Sequence, residues 1–245
     1  MLNRYGVIAA LVLVIAVNWL ANWLPLGGMT TGQVSAYYES LFTPAGFTFS
    51  IWGVIYTGLL IYALYQAAHG QSSNALLQDV GRLFIVSCFL NCLWLFAWHF
   101  QMIAASLVIM ATILVSLILI YRRLQRGDDV SAMVSIPFSI YLAWICVAAI
   151  ANASALQTAM NLNDTGLTAI QWTLVKLALA GAIGASAVLR RRDIAFIGVV
   201  GWAAYGIAVK QVGTPEVYGA AVLIVFLAAM LFAFDCLRRV ADFRT

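Results

Sequence analysis

A chain of 245 residues that is 64% hydrophobic and 9% charged cannot clothe a water-facing surface, since soluble domains carry about 25% charged residues. Its apolar stretches reach about 18 residues or more, the length a helix needs to cross roughly 30 Å of hydrocarbon. The formal net charge of +4 does not point to nucleic acid: the basic residues sit in short clusters between apolar runs, where retention on the cytoplasmic side is the usual cause. The expected surroundings are membrane lipid, with no nucleic-acid partner.

Apolar length and Gly, Pro and polar breaks predict eight spans in chain order, near 5–24, 47–68, 80–100, 102–121, 131–157, 168–188, 194–211 and 216–237. The fold class this predicts is all-α, a polytopic membrane helix bundle of about eight transmembrane helices. The first span follows Arg4 but ends in Asn-Trp-Leu-Pro without a small-residue cleavage site. It therefore reads as a retained span and not as a signal peptide. After it, the connection from Pro25 to Gly46 carries Tyr37, Tyr38, Glu39, Leu41 and Phe42. That is more apolar weight than a solvated linker needs, and a lid folded over the bundle is expected. The other long outer connection, Thr158 to Leu167, holds Asn161, Asn163, Asp164 and Gly166 and reads as a simple joint. It divides the chain into 1–160, with five spans, and 161–245, with three.

Arg4, Arg82, the Arg122/Arg123/Arg126 group, Arg190–Arg192, and Arg238/Arg239/Arg244 all fall on one side of such a bundle, while the segments around 25–46, 101, 158–167 and 212–215 hold no Lys or Arg. The positive-inside rule then predicts cytoplasmic N- and C-termini in a multi-pass protein of the cell (inner) membrane. Cys88, Cys92, Cys146 and Cys236 all lie inside apolar segments. They predict buried small hydrophobes, with neither a disulfide framework nor a metal site.

Ionisable residues within spans are functional candidates by default. Asp235 lies within a turn of Arg238 and Arg239, which predicts a neutralised interfacial charge. Glu216, after Thr214 and Pro215, suits a helix start, and Lys210 is expected to pair with it. His99 beside Trp98 reads as part of an interfacial aromatic belt. Lys176, roughly 12 Å along its helix from Thr168, is either a functional charge or a snorkelling one. The chain has no paired-carboxylate motif, Gly-x-Ser-x-Gly, phosphate loop or His-x-x-x-His pair, so hydrolytic or phosphoryl-transfer activity is not expected.

A pattern of aromatic and amide residues is more informative. Asn18, Trp52, Tyr56, Asn91, Trp94, Ala148 and Asn152 fall roughly 7–14 Å below the outer ends of their spans, with Trp144 somewhat deeper. Phe49, Trp52 and Tyr56 share one helix face, as do Asn91, Trp94 and Trp98, and as do Trp144, Ala148 and Asn152. Three such faces at one level would line a flat, mostly apolar cavity suited to a large planar ligand. The same stripes would also serve as contacts between helices, with Asn satisfying Asn, which is the commoner case from spacing alone.

At these residues the sequence resembles the tryptophan-rich sensory protein or translocator protein family (TspO/MBR, the peripheral benzodiazepine receptor family). The matching stretches are Phe-Thr-Pro-Ala-Gly-Phe-Thr-Phe-Ser-Ile-Trp-Gly-Val-Ile-Tyr (42–56), Leu-Asn-Cys-Leu-Trp-Leu-Phe-Ala-Trp-His (90–99) and Ile-Tyr-Leu-Ala-Trp-Ile-Cys-Val-Ala-Ala-Ile-Ala-Asn (140–152). They are similar to the family's Pro-containing lead into its second helix with Trp-x-x-x-Tyr, its Asn-x-x-Trp on the third, and its Tyr-Leu-x-Trp followed by Ala and Asn on the fifth. The resemblance implies a five-helix, often dimeric unit over 1–160 that binds porphyrins and other tetrapyrroles, sterols or synthetic aromatic ligands. It would place Trp52, Tyr56, Asn91, Trp94, Trp144, Ala148 and Asn152 around the ligand pocket. A tetrapyrrole is then the favoured bound group, with no cofactor required and a homodimer among the expected partners.

Two features depart from the family pattern. The double Pro and preceding Lys-Pro-x-Trp are reduced to Thr43-Pro44-Ala45, and after Asn152 the chain reads Ala-Ser-Ala-Leu-Gln, without the residues of the proposed cholesterol motif. The three remaining spans carry Gly181-x-x-Gly184 and Gly198-x-x-Gly201, faces that let helices approach closely within a chain or in a dimer. The functional expectation is binding of a hydrophobic planar ligand in the outer half of the bundle, for sensing or transport. The alternatives are a small transporter using Lys176 and a structural subunit of a membrane complex.

Overall fold

The computed structural model describes residues 2–24, 26–71, 73–162 and 166–242. Pro25, Asn163, Asp164 and Arg244, which figure in the expected connections and basic clusters, lie outside the described residues. The described residues form α1 (Leu2–Trp23), α2 (Thr31–Tyr37), α3 (Ile51–Ala67), α4 (Ala75–His99), α5 (Ile103–Leu124), α6 (Ala132–Ala159), α7 (Ala169–Arg191), α8 (Ile194–Lys210) and α9 (Pro215–Asp242), with no strand among them.

Seven of these helices are long and apolar enough to cross a membrane, and α8, with 17 residues, is shorter. A span needs about 17–25 residues, so α8, where the span near 194–211 is expected, sits at the lower limit of that range. Their ends are written locally. Asn74 caps α4 through Leu77 N–H, and Asp193 caps α8 through Phe196 N–H. Thr168 and Gln171 close a capping box at α7, and Thr30 with Gln33 does the same for α2. At α9 the expected Pro215 and Glu216 occupy the first turn. The exposed Leu223, Phe226, Met230 and Leu237 of α9 recur at helical spacing. Such a stripe needs hydrocarbon and not water around it.

The chain divides into two compact units: Met1–Tyr38 with Ser50–Ile145, and Glu39–Phe49 with Cys146–Thr245. This division runs through α6 and through the long first connection, whereas the sequence pattern divides the chain at the 160/161 joint.

In the first unit α4 packs against α1 and α5, and α1 packs against α3. Its deepest core is the edge-to-face trio Tyr62, Phe84 and Phe138, with ring centroids 4.8–5.7 Å apart, an arrangement worth about 0.5–1.5 kcal/mol per pair beyond burial. Pro137 interrupts the hydrogen bonding of α6, which spanning helices tolerate. Its ring lies where a Cβ on Gly58 would come within 3.2 Å, so α3 meets it at glycine.

In the second unit α7, α8 and α9 pack pairwise through small residues. A Cβ on Gly184 would come within 2.6 Å of Ile197 Cδ1, and one on Gly201 within 3.0 Å of Ala228 Cβ. The glycine faces noted in the sequence thus serve contacts inside this unit, except at Gly198, which has no described neighbour within 4 Å. The segment 39–49 joins the unit by docking on α8. Ala45 N–H donates to Gly206 O (3.0 Å), and Trp202 Nε1–H donates to Thr48 O (2.9 Å).

Candidate functional site

Within the first unit, the expected aromatic and amide residues of α3, α4 and α6 meet. Trp52 stacks on Tyr56 one turn along α3, centroids 5.4 Å apart, and turns its edge or face to Tyr141 at 6.0 Å and Trp144 at 6.5 Å. An amide chain runs beside the rings. Asn18 of α1 donates to Asn91 Oδ1 of α4 (3.0 Å), and Asn91 Nδ2 donates to Tyr141 Oη of α6 (3.2 Å). Asn91, Tyr141 and Trp144 are buried, while Trp52 and Tyr56 are half-buried. The Tyr56 hydroxyl is itself buried and has no hydrogen-bond partner among the described residues. A phenol left in that state is costly in a low-dielectric interior.

Trp94 is buried and stacks on Trp98, 5.6 Å away. Ala148 and Asn152 continue the Trp144 face of α6 by spacing but belong to the second unit, as does Phe49. Tyr141 was not among the selected site residues although it lies in the 140–152 stretch. Its position three residues before Trp144, on the same helix face, is the signal that would have singled it out.

The lid expectation holds for residues 26–38, which cover the end of α4. His99 is buried there, its Nε2 3.0 Å from Thr31 Oγ1 and its Nδ1 3.2 Å from Leu26 O. Trp98 Nε1–H donates to Thr31 O (3.2 Å), and Tyr38 Oη–H donates to Gln101 Oε1 (3.0 Å). His99 is thus a clasp for the lid. The cause is the close approach at Gly27, which takes a positive φ of 66° where a Cβ would strike His99 O at 2.6 Å.

The charges of the second unit match expectation in part. Lys210 pairs with Glu39 (2.9 Å), not with Glu216, because the docked segment 39–49 brings that carboxylate to the end of α8. Asp235 is neutralised by Arg239 as expected, Nε at 2.6 Å, and is fully buried, where it also pairs with Arg192 Nε at 3.0 Å. Arg192 also reaches Asp242 at 2.6 Å. Arg238 points elsewhere, over the Phe234 ring. Lys176 is half-buried on α7 and donates to Gln157 Oε1 at 2.8 Å. All four cysteines are free, Cys88 and Cys92 being buried.

Long apolar helices with lipid-facing stripes and polar groups paired inside each unit define a multi-pass integral membrane protein. The model of one protein family, described as TSPO-like protein, matches residues 4–234, and the chain belongs to that family. The match extends past the 42–152 region that carries the resemblance and takes in α7, α8 and most of α9. Comparisons with curated proteins and with solved structures each return no match.

Proposed function

We propose that this TSPO-like protein binds a hydrophobic planar molecule, with a tetrapyrrole favoured, through the aromatic layer of its first unit, for sensing or transport of that ligand. The observation that carries this reading is the Trp52–Tyr56 pair: two stacked, half-buried rings, of which Tyr56 carries a buried hydroxyl with an unused donor. A planar ligand offers a face to the Trp52 ring and an acceptor to the Tyr56 hydroxyl. Asn91, Trp94 and Trp144 set the level at which that face lies, and Ala148 and Asn152 are proposed with them on the family resemblance.

Porphyrin titration of the purified protein, followed by absorbance, tests this. Trp52→Ala should weaken binding about tenfold to hundredfold. Tyr56→Phe should weaken it about twofold to tenfold while leaving thermal stability unchanged or slightly raised, since it deletes an unpaired buried hydroxyl. Unaltered titration in both folded variants rules the reading out.

We further propose that both termini face the cytoplasm, on the strength of the one-sided arginine clusters. A cysteine at position 35 should react with an impermeant thiol reagent added outside intact cells, and one at 191 should not. Labelling at 191 would reverse the assignment.

A further inference from the structure

The second unit contains a cavity of about 350 Å³ whose wall includes Lys176, Gln157, Trp172, Leu41, Lys210 and Glu39. This is the small end of the roughly 300–1,000 Å³ range of ligand pockets. Its two cations differ. Lys210 is neutralised by Glu39 at 2.9 Å. Lys176 meets only neutral groups, the Gln157 carbonyl oxygen at 2.8 Å and the Trp172 ring with its centroid 6.0 Å from Nζ, and no carboxylate among the described residues pairs with it. The three charges leave one net positive charge at the cavity. An ammonium has three N–H donors, and Gln157 takes one. Among the described residues Lys176 has no counter-ion, and a half-buried cation on a spanning helix is compensated by an anion that comes and goes.

Three features narrow the anion. The single net charge suits a monoanion over a dianion. The Trp172 ring and Leu41 offer an apolar wall, which an organic body covers and an inorganic ion does not. The volume limits that body to a small one. We infer that the Lys176 cavity is a second binding site, specific for a small organic monocarboxylate, whose carboxylate accepts from Lys176 Nζ while its apolar body lies against Trp172. It uses none of the Trp52–Tyr56 layer and stands whether or not that layer binds a planar ligand.

Calorimetric titration of the full-length protein in detergent with benzoate, and with benzamide as the neutral isostere, tests the site. Benzoate should bind saturably and benzamide at least tenfold more weakly, since a charge-assisted hydrogen bond is what separates them. Lys176→Met should lower benzoate affinity tenfold or more and leave benzamide unaffected. Gln157→Glu sets a permanent carboxylate on Lys176, adds an ion pair and so protects the fold, and should abolish benzoate binding as fully. No saturable benzoate binding, equal affinity for benzamide, benzoate binding that survives Gln157→Glu, or displacement of benzoate by equimolar chloride would each overturn the inference. Porphyrin titration of the same variants should be unchanged, which keeps a failure here apart from a failure of the aromatic layer.

Discussion

Inside the first unit the buried polar side chains are neutral, with Asn18, Asn91 and Tyr141 passing hydrogen bonds from helix to helix. Inside the second unit the buried polar side chains include an ion, Asp235 between Arg192 and Arg239, beside neutral groups such as Thr173 and Gln211. The two choices differ in what failure costs. Neutral pairs between membrane helices contribute little each, because an unpaired amide finds another partner in the unfolded state. Buried ions tolerate no such substitution, since removing one partner strands the other. The first unit should therefore degrade gradually under mutation, and the second abruptly.

The largest expected effect is at Asp235. Replacing it with Ala removes the carboxylate shared by the Arg192 and Arg239 guanidinium groups and leaves Arg192 with Asp242 alone. Because those groups keep partial access to water, the expected loss is about 3 kcal/mol, the low end for breaking a buried pair. It is measured as a fall in unfolding free energy in mixed detergent. A loss below about 1 kcal/mol would mean that the clamp is no stronger than an exposed ion pair. His99→Ala comes next. It removes both ring contacts to the lid and should cost about 1–3 kcal/mol. Hydrogen exchange should then rise across residues 26–38 and stay low in α8 and α9. Protection unchanged over the lid would show that Trp98 and Tyr38 alone hold it. Smallest is Asn91→Leu, expected at about 0.6 kcal/mol, read from the same unfolding experiment. A value near that for Asp235→Ala would erase the contrast between the units.

The sequence made the helices legible because length and apolar content are local properties. The span expected at 194–211 is the helix Ile194–Lys210, and that at 168–188 is Ala169–Arg191, each with its cap in the preceding residue. Helical spacing also brought Trp52, Tyr56 and Trp144 to one cluster. What it could not supply is pairing over distance. Glu39 and Lys210 lie 171 residues apart, and Asp235 reaches Arg192 across 43, whereas the local pattern offers Glu216 for Lys210 and, for Asp235, only Arg238 and Arg239, of which Arg239 does pair with it. Pairs made between distant segments are set by tertiary packing, and no periodicity encodes them. The clasp at His99 was missed for the same reason, although Gly27, at a turn with positive φ, hinted at a backbone approach.

The unequal length of neighbouring helices in the second unit bears on the lipid. At 17 residues α8 measures about 25 Å, while the apolar span of its packing partner α9, 216–237, measures about 33 Å. A single bilayer cannot match both. Short-chain lipids suit α8 and oblige α9 to tilt or protrude; long-chain lipids suit α9 and draw the bilayer thin around α8. Lysines at helix ends usually relieve such mismatch by stretching toward the headgroups, but Lys210 is held by Glu39. Acyl-chain length thus becomes a mechanical load on the Glu39–Lys210 pair.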